Sequence, residues 1–200
     1  MFYKDLKRTF DIIGASLSLC ILAPFIPFIY AAIKLDSPGP FLVRLARISN
    51  RKKIWIYKFR SMVAGAHALR PTLAASNERA DGPFFKIRND PRVTQVGKIL
   101  RKFRIDEFPQ LINVLKGEMS LVGPRPHEPE EVILYPGEHQ HIILAKAGVT
   151  GLSQVNGASS LPFRKELELD SHYVKNCSFA LDLKILAKTV KIFFSDPTAV

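Results

Sequence analysis

Cysteine is scarce in this 200-residue chain, which has Cys20 inside an apolar run and Cys177 near its C-terminus. Two such distant cysteines argue against a disulfide framework and against a thiolate metal site. The five histidines show no spacing typical of structural zinc. An internal repeat and a low-complexity tract are also missing. These absences favour a globular protein with one modest core in a reducing compartment.

Acidic residues are fewer than basic residues in this chain, and they are scarcest in its most basic segment. The chain has 29 Lys and Arg against 18 Asp and Glu, and a net charge of +11. The segment 41–104 holds 16 of these bases and only three acids, so the positive excess is concentrated there. Clustered positive charge attracts polyanions, and the adjacent carboxylates Asp106 and Glu107 follow directly. Because such a pair can hold a divalent cation or attack phosphorus, the region points to phosphate chemistry.

One long stretch lacks charge altogether, namely the 22 residues Ile12–Ile33 between Asp11 and Lys34. A straight helix of this length would span roughly 33 Å, enough to cross a hydrocarbon core. Pro24 and Pro27 interrupt the run, however, and basic residues flank it on both sides. Since the positive-inside rule places both flanks in the cytoplasm, we expect a re-entrant, proline-broken membrane helix. A spanning helix, a cleaved signal peptide and a soluble core helix are the alternatives.

The rest of the sequence predicts a mainly α-helical fold with a small β-hairpin. β-Rich runs at Phe41–Val43 and Ile54–Tyr57 flank a polar turn at Ser49–Arg51. A helix and a loop are expected within Ala64–Asn89. Further helices are predicted at Val96–Phe103, Pro109–Lys116, Phe163–Lys175 and Phe179–Phe194.

The last predicted helix is amphipathic. Its residues Leu183, Leu186, Val190 and Phe194 share one face flanked by lysines. That face suits core packing first and contact with an anionic membrane surface second. We therefore expect a re-entrant membrane helix over residues 1–36, followed by a compact cytoplasmic catalytic domain with interfacial amphipathic helices over residues 37–200.

Asp106 and Glu107 also have a purely structural interpretation, as first-turn acids of the helix predicted at Pro109–Lys116. Three blocks around them favour a catalytic interpretation. They are Ile-Tyr-Lys-Phe-Arg-Ser-Met at 56–62, Leu-Lys-Gly-Glu-Met-Ser-Leu-Val-Gly-Pro-Arg-Pro at 115–126 and Gly-Val-Thr-Gly-Leu-Ser-Gln-Val-Asn-Gly at 148–157. In this order, behind a proline-broken apolar helix, the blocks closely resemble the bacterial sugar transferase family of monotopic phosphoglycosyl transferases. The resemblance extends from Lys7 to Lys184.

The resemblance implies an enzyme that moves a sugar 1-phosphate from a UDP-sugar to undecaprenyl phosphate, releases UMP and uses Mg²⁺. This reaction primes a cell-envelope glycan such as an O-antigen, a capsule, an exopolysaccharide or a glycoprotein glycan. It also implies the bacterial inner membrane, with the catalytic domain on the cytoplasmic face and the phospholipid bilayer as a partner. No nucleic-acid partner is expected, and a homodimer is allowed. Among family members of different length, the chain resembles the compact form.

The resemblance assigns roles to individual residues. Asp106 matches the nucleophile, which carries the phosphosugar as a covalent intermediate. Glu107 matches its partner in metal binding or proton handling, so both are expected at the Mg²⁺ site. Substrate-binding positions are implied at Lys58, Arg101, Arg125, Gln154 and Asn156.

The chain departs from the family pattern at several positions. Ala23 replaces a serine before the proline of the helix break, and Ala158 stands where an arginine is common. Arg164 could substitute for that arginine. Lys-Ala-Gly at 146–148 replaces Arg-Pro-Gly, and Arg-Ile-Ser at 47–49 replaces Arg-Val-Gly. None of these changes touches the carboxylate pair. The departures instead limit what can be inferred about the transferred sugar, which the sequence does not identify.

Two alternatives stay open. A non-catalytic, membrane-anchored basic module that binds anionic lipid or nucleic acid would also explain the charge, although a nucleic-acid motif is missing. The second alternative is still enzymatic, with the lipid phosphate attacking the donor directly and no covalent intermediate.

Overall fold

The computed structural model describes residues 2–79, 81–157 and 160–195. In these ranges the fold is mainly helical, with two small sheets of two strands each. The helices are α1 (Phe2–Leu22), α2 (Ile26–Asp36), α3 (Gln95–Lys102), α4 (Gln110–Leu115), α5 (Pro129–Ile133), α6 (Phe163–Asn176) and α7 (Phe179–Ser195). The strands are β1 (Leu42–Ser49), β2 (Lys52–Phe59), β3 (Ser120–Val122) and β4 (Gly148–Thr150).

The N-terminal apolar run folds as two helices joined by a 3-10 turn at Ala23–Phe25. Pro24 lies in this turn, where its ring and its missing N–H oppose a continuous α-helix. The helical stretch Tyr3–Asp36 has the length and the apolar composition needed to cross a membrane. Its outward side chains are exposed, including Leu17 at 62% and Phe28 at 74%. The apolar helix expected for membrane attachment is therefore present.

The first part of this run is docked on the rest of the protein. Asp11, at its charged boundary, is 4% exposed. Its carboxylate accepts hydrogen bonds from Ser120 Oγ at 3.0 Å and from the backbone N–H of Leu121 at 2.8 Å. One turn further along, Ala15 is fully buried in the main core. One face of α1 is therefore part of the core of the folded chain.

The far end of the run is attached to the same body. The guanidinium of Arg60, which follows β2, donates to the carbonyl oxygens of Ile33 at 3.2 Å and of Ser37 at 2.7 Å. The Ile33 carbonyl also accepts the last helical bond of α2, from the backbone N–H of Ser37 at 3.4 Å, so Arg60 reinforces the end of this helix. The Asp36 carboxylate accepts from the backbone N–H of Val96, at the start of α3, at 3.0 Å. Both boundaries of the apolar run thus lie against one folded unit.

The antiparallel hairpin of β1 and β2 confirms the sequence prediction. Its register pairs Ser49 with Lys52 across the turn Asn50–Arg51. Both turn residues have left-handed backbone angles, with φ of 49° and 59°, which suit the twist of a two-residue hairpin. The inward side chains of Ile54 and Ile56 are buried in the main core. These strands are longer than the two apolar runs indicated.

The parallel pair of β3 and β4 was not predicted. Ser120 pairs with Gly148, and Val122 pairs with Thr150. Any side chain at position 148 would meet the backbone, because a Cβ there would lie 2.1 Å from the nitrogen of Gly123. The glycine therefore permits the close approach that joins two distant segments of the chain.

The predicted helices at α3, α4, α6 and α7 are confirmed within one residue at each end. Gly117 follows α4 with φ of 77°, which suits its predicted role in ending that helix. In the residues that the structure describes within Ala64–Asn89, the predicted helix is a short 3-10 helix and not an α-helix. This segment contains only the 3-10 helix Pro71–Ser76 and turns. Short α5 was also missed.

The apolar face predicted for α7 is only partly correct. Leu186 packs against the main core, but Leu183 and Val190 are 43% and 57% exposed. The side chain of Phe194 lies outside the described residues. The buried face is instead centred on Ile185, which is 2% exposed.

Asp182 explains the different orientation of α7. It is only 2% exposed, and its carboxylate accepts from Tyr3 Oη at 3.0 Å, Lys7 Nζ at 2.7 Å and Tyr173 Oη at 2.6 Å. A buried carboxylate requires such partners. The acid therefore turns the helix towards α1 and α6, which supply them.

Candidate active site

Asp106 and Glu107 lie in the 3-10 turn Ile105–Glu107, between α3 and α4. Arg104, just before it, has φ of 51°, a left-handed conformation that is uncommon outside glycine. The Asp106 residue is 6% exposed, whereas the Glu107 side chain is 27% exposed. The cap position of α4 is Pro109, with no side-chain cap. The observed contacts therefore do not support the interpretation of the two acids as helix caps.

Strand β2 places Lys58 beside this turn, with Nζ 2.6 Å from Glu107 Oε1. Burial disfavours the charged form of Glu107, but Lys58, together with Arg125 and Arg104, outweighs burial and lowers the pKa of Glu107 to about 2. Glu107 is therefore ionised at neutral pH. One of its carboxylate oxygens, Oε1, accepts the hydrogen bond from Lys58.

Asp106 has the opposite character. Burial raises the pKa of Asp106 to about 6, and the Glu107 charge acts in the same direction against the opposing cations Lys58 and Arg101. Among the described side chains, none donates a hydrogen bond to the Asp106 carboxyl group. A carboxylate held this way keeps its lone pairs available for attack on an electrophile.

Arg101 and Arg125 approach the pair from other elements. Arg101, in the last turn of α3, donates from Nε to Ser61 Oγ at 2.9 Å, and its charge acts on Asp106. Arg125 lies between two prolines, and its charge contributes to the low pKa of Glu107. Three predicted substrate-binding residues, Lys58 included, therefore act electrostatically on the two acids.

Arg47 is a further basic residue that the sequence reasoning left out. It projects from β1, with a side chain 17% exposed and Nη1 3.3 Å from Glu128 Oε1. Burial lowers the pKa of Arg47, while Glu128 and, more weakly, Glu107 oppose that shift. Its place in the Arg-Ile-Ser block at 47–49 was the signal that could have identified it.

The predicted residues Gln154 and Asn156 make contacts elsewhere. Gln154 Nε2 donates to the carbonyl oxygen of Val149 at 3.1 Å. Asn156 donates to the carbonyl oxygen of Leu152 at 2.7 Å and accepts from Lys188 Nζ, on α7, at 2.6 Å. Their role in substrate binding stays a prediction.

The departures from the family pattern lie in different settings. Ala23 opens the 3-10 turn within the N-terminal apolar run. Ala147 is 3% exposed and donates its backbone N–H to Ser49 Oγ at 3.0 Å. Ala158 lies outside the described residues, and Arg164 is exposed on α6. Substitution by Arg164 for an arginine at 158 therefore stays a prediction.

The carboxylate pair has the donor atoms that Mg²⁺ prefers. Within the described ranges, no group of three or more His, Cys, Asp or Glu residues could hold a metal ion. Mg²⁺, however, is commonly bound through one or two carboxylates together with water and substrate phosphates. Asp106 and Glu107 fit a site of that kind and do not fit a cage made only of protein ligands.

Comparisons with a family profile and with individual proteins agree on one family. A sequence profile described as "Bacterial sugar transferase" matches residues 2–196. The undecaprenyl-phosphate galactose phosphotransferase of Salmonella typhimurium is 40% identical over 193 residues, which cover 94% of this chain and 40% of that protein. The UDP-galactose-lipid carrier transferase of Erwinia amylovora is 37% identical over 192 residues, covering 94% and 40% respectively. This chain therefore spans about 40% of the length of these two proteins. The exopolysaccharide production protein PSS of Rhizobium leguminosarum is 40% identical over 200 residues, covering 92% of this chain and 93% of that protein.

Proposed function

This chain belongs to the bacterial sugar transferase family, and we propose that it transfers a sugar 1-phosphate from a UDP-sugar to undecaprenyl phosphate. The products are UMP and a lipid-linked diphosphate sugar that primes a cell-envelope glycan. The names of the relatives support this reaction, since they include a galactose phosphotransferase acting with undecaprenyl phosphate and an exopolysaccharide production protein. The sugar itself stays open.

The observation that carries the proposal is the different state of the two neighbouring carboxyl groups. Asp106 is buried, with a pKa of about 6 and no hydrogen-bond donor among the described side chains, while Glu107 is ionised and paired with Lys58. A nucleophile must be free to attack, and its partner must hold charge and geometry. The arrangement therefore supports attack by Asp106 and an electrostatic role for Glu107.

The proposed reaction has two displacements at one phosphorus. An Asp106 carboxylate oxygen attacks the β-phosphorus of the donor, and the bond from that phosphorus to the bridging oxygen breaks to release UMP. A phosphate oxygen of undecaprenyl phosphate then attacks the same phosphorus. The acyl phosphate bond breaks, which restores the Asp106 carboxylate and gives the lipid diphosphate sugar.

The surrounding cations neutralise the diphosphate. Three cations act electrostatically on the acid pair, namely Lys58, Arg101 and Arg125. Arg47 also interacts electrostatically with Glu107. Positive groups fixed before the reaction stabilise the negative charge that the leaving UMP develops. Mg²⁺, when bound by Asp106 and Glu107 with the donor phosphates, would add further charge neutralisation.

Transfer to a lipid places the protein at a membrane, for which we propose a re-entrant attachment from the cytoplasmic face. Supporting contacts occur at both ends of the apolar run, where Asp11 binds the β3 region and Asp36 binds the start of α3. The 3-10 turn at Ala23–Phe25 provides the break between the two arms. The exposed apolar side chains of α1 and α2 would then face lipid.

Accessibility labelling tests this attachment. Cys20 and Cys177 are exposed and are first replaced by serine. A cysteine is then introduced at the exposed position of Lys4, with Lys165→Cys on α6 as the matched control. A membrane-impermeant maleimide added to intact cells should label neither cysteine, and lysis should expose both. Labelling of Lys4→Cys alone in intact cells would show that α1 spans the membrane.

Release of UMP tests the reaction. Membranes containing the chain are given undecaprenyl phosphate, Mg²⁺ and each of a panel of UDP-sugars. We expect release with at least one donor, and a loss of at least about 10³-fold in Asp106→Asn, because the amide cannot form the covalent intermediate. Glu168→Gln, a 55% exposed acid on α6, should keep full activity. No release with any donor would favour the non-catalytic basic module.

A further inference from the structure

Two acidic residues of α6, Glu166 and Asp170, contact Arg125. Glu166 and Asp170 are four residues apart, so their side chains lie on the same face of the helix. The backbone N–H of Arg125 donates to Asp170 Oδ2 at 3.0 Å. Its Nε lies 3.7 Å from Glu166 Oε1. The first contact fixes the main chain, and the second orients the guanidinium.

Both acids are inside the protein. Glu166 is 2% exposed and Asp170 is 1% exposed. Glu166 Oε1 also lies 3.2 Å from His127 Nε2, and the His127 ring contacts Tyr135 on its other side. Burial works against the charge of Glu166, but His127 and Arg125 outweigh it and lower the pKa of Glu166. The carboxylate is thus part of a fixed buried network.

Stability alone does not account for such an arrangement. Buried ionic groups lose their hydration, and well-packed apolar residues often stabilise a core equally well or better. Both acids contact Arg125, Asp170 at its backbone N–H and Glu166 at its guanidinium, and the charge of Arg125 itself acts on Glu107. Their common effect is therefore on the position of Arg125.

We infer that Glu166 and Asp170 are positioning residues that aim Arg125 at the phosphates of the nucleotide donor. The inference rests on the proposed function. Pro124 and Pro126 stiffen the chain on either side of Arg125, and Glu166 faces the Nε edge of the guanidinium. Within the described structure the two η nitrogens make no hydrogen bond, and the side chain is 35% exposed. Two free η nitrogens form a fork that matches two oxygens of a phosphate.

A double-mutant cycle tests the inference. Binding of UDP is measured by titration calorimetry in detergent for the parent, Glu166→Gln, Arg125→Ala and the double variant. We expect Glu166→Gln to weaken UDP binding about tenfold in the parent, but by less than about twofold once Arg125 is removed. The Michaelis constant for the donor should rise by a similar factor, with a smaller change in kcat. Glu168→Gln on the same helix should change neither quantity.

Several outcomes would overturn the inference. A purely structural Glu166 would weaken UDP binding by the same factor with and without Arg125. Unchanged UDP binding in Arg125→Ala, or no UDP binding by the parent, would also contradict it. If Glu166→Gln does not fold, Glu166→Asp enters the same cycle, and the coupling to Arg125 decides. Coupled UDP binding without any UMP release would leave this inference standing and reject the proposed reaction instead.

Discussion

The Asp106 carboxyl group opposes folding when it is ionised. Its pKa in the folded chain is about 6, above its ordinary value of 3.8. Between about pH 4 and pH 6 the folded chain therefore keeps a proton that the unfolded chain has lost. This proton favours the folded state at low pH, and the contribution is lost as the pH rises through 6.

Asp106→Asn should consequently stabilise the protein while it abolishes the proposed transfer. At pH 7.5 in EDTA, we expect a gain of about 1–3 kcal/mol in the free energy of unfolding, which shrinks as the pH falls towards 4. Denaturant unfolding in detergent at several pH values measures it, with Glu168→Gln as the control. Equal stability of parent and variant at pH 7.5 would show that burial does not penalise this carboxylate.

Two departures from the family pattern are explained by a single hydrogen bond. Ser49 Oγ accepts from the backbone N–H of Ala147 at 3.0 Å and donates to the carbonyl oxygen of Glu118 at 2.6 Å. The pattern that the chain resembles has glycine and proline at these two positions, and neither could make the first bond. Each departure therefore provides the partner that the other requires.

We expect Ser49→Gly to lower the free energy of unfolding by about 1–3 kcal/mol, because it leaves the buried N–H of Ala147 without a partner. Adding Ala147→Pro removes that N–H and should recover part of the loss. Urea unfolding of both single variants and of the double variant measures the coupling. A double variant no more stable than the sum of the single effects would contradict the explanation.

Much of the site could be predicted from the sequence, because Lys58, Asp106 and Arg125 lie in short contiguous blocks. The different states of Asp106 and Glu107 could not, since they depend on burial and on a lysine from a distant strand. Glu166 was also missed. An acid within a charged helix gives no sequence signal that it is buried.

The elements that could be predicted are those whose ends are marked by turn residues, proline or glycine. The hairpin has alternating apolar residues around a polar turn, and α4 begins after Pro109 and ends before Gly117. The parallel strands β3 and β4 have three residues each and pair across a separation in sequence that no local pattern reveals. The orientation of α7 likewise depends on Asp182, whose partners come from α1 and α6.

Helix α1 supports α4, the helix that follows the turn with Asp106 and Glu107. Arg8 donates from Nη1 to the carbonyl oxygen of Val114 at 2.6 Å and from Nη2 to that of Leu115 at 2.7 Å. These carbonyl groups lie at the end of α4, where that of Val114 also accepts from the backbone N–H of Gly117 at 2.9 Å, so Arg8 adds to the bonds that close this helix. The cation also suits the negative end of the helix dipole.

Arg8→Ala should therefore lower the free energy of unfolding by about 1–3 kcal/mol, since two charge-assisted bonds are lost. Arg8→Lys should recover part of the loss, because it keeps the charge without the fork. Thermal unfolding in detergent measures these changes, and the exposed residue Lys4 on the same helix provides the control variant Lys4→Ala. If the Arg8→Ala variant were as stable as the Lys4→Ala control, Arg8 would not stabilise α4.

At the scale of the whole molecule, the N-terminal apolar helix and the remainder share one core. Ala15 is fully buried in it, and Asp11 and Lys7 are bound to residues of β3 and α7. The boundary predicted between residues 1–36 and 37–200 is untested, and these contacts indicate that the second part depends on the first.

A fragment of residues 37–200 should accordingly fail to fold alone. It would expose the core face that Ala15 covers and would leave the buried Asp182 without Lys7. We expect no cooperative thermal transition by circular dichroism, whereas the full chain shows one in the same detergent. A fragment that unfolds cooperatively near the melting temperature of the full chain would show that the two parts are independent.

The decisive measurement is the intact mass of the chain after brief mixing with its UDP-sugar donor and Mg²⁺, with undecaprenyl phosphate left out. Attack by Asp106 predicts an increase by one phosphosugar, located at Asp106 after proteolysis, discharged when undecaprenyl phosphate is added and absent in Asp106→Asn. If the parent keeps its original mass under these conditions, yet releases UMP as soon as the lipid phosphate is present, the acceptor attacks the donor directly and Asp106 is not the nucleophile.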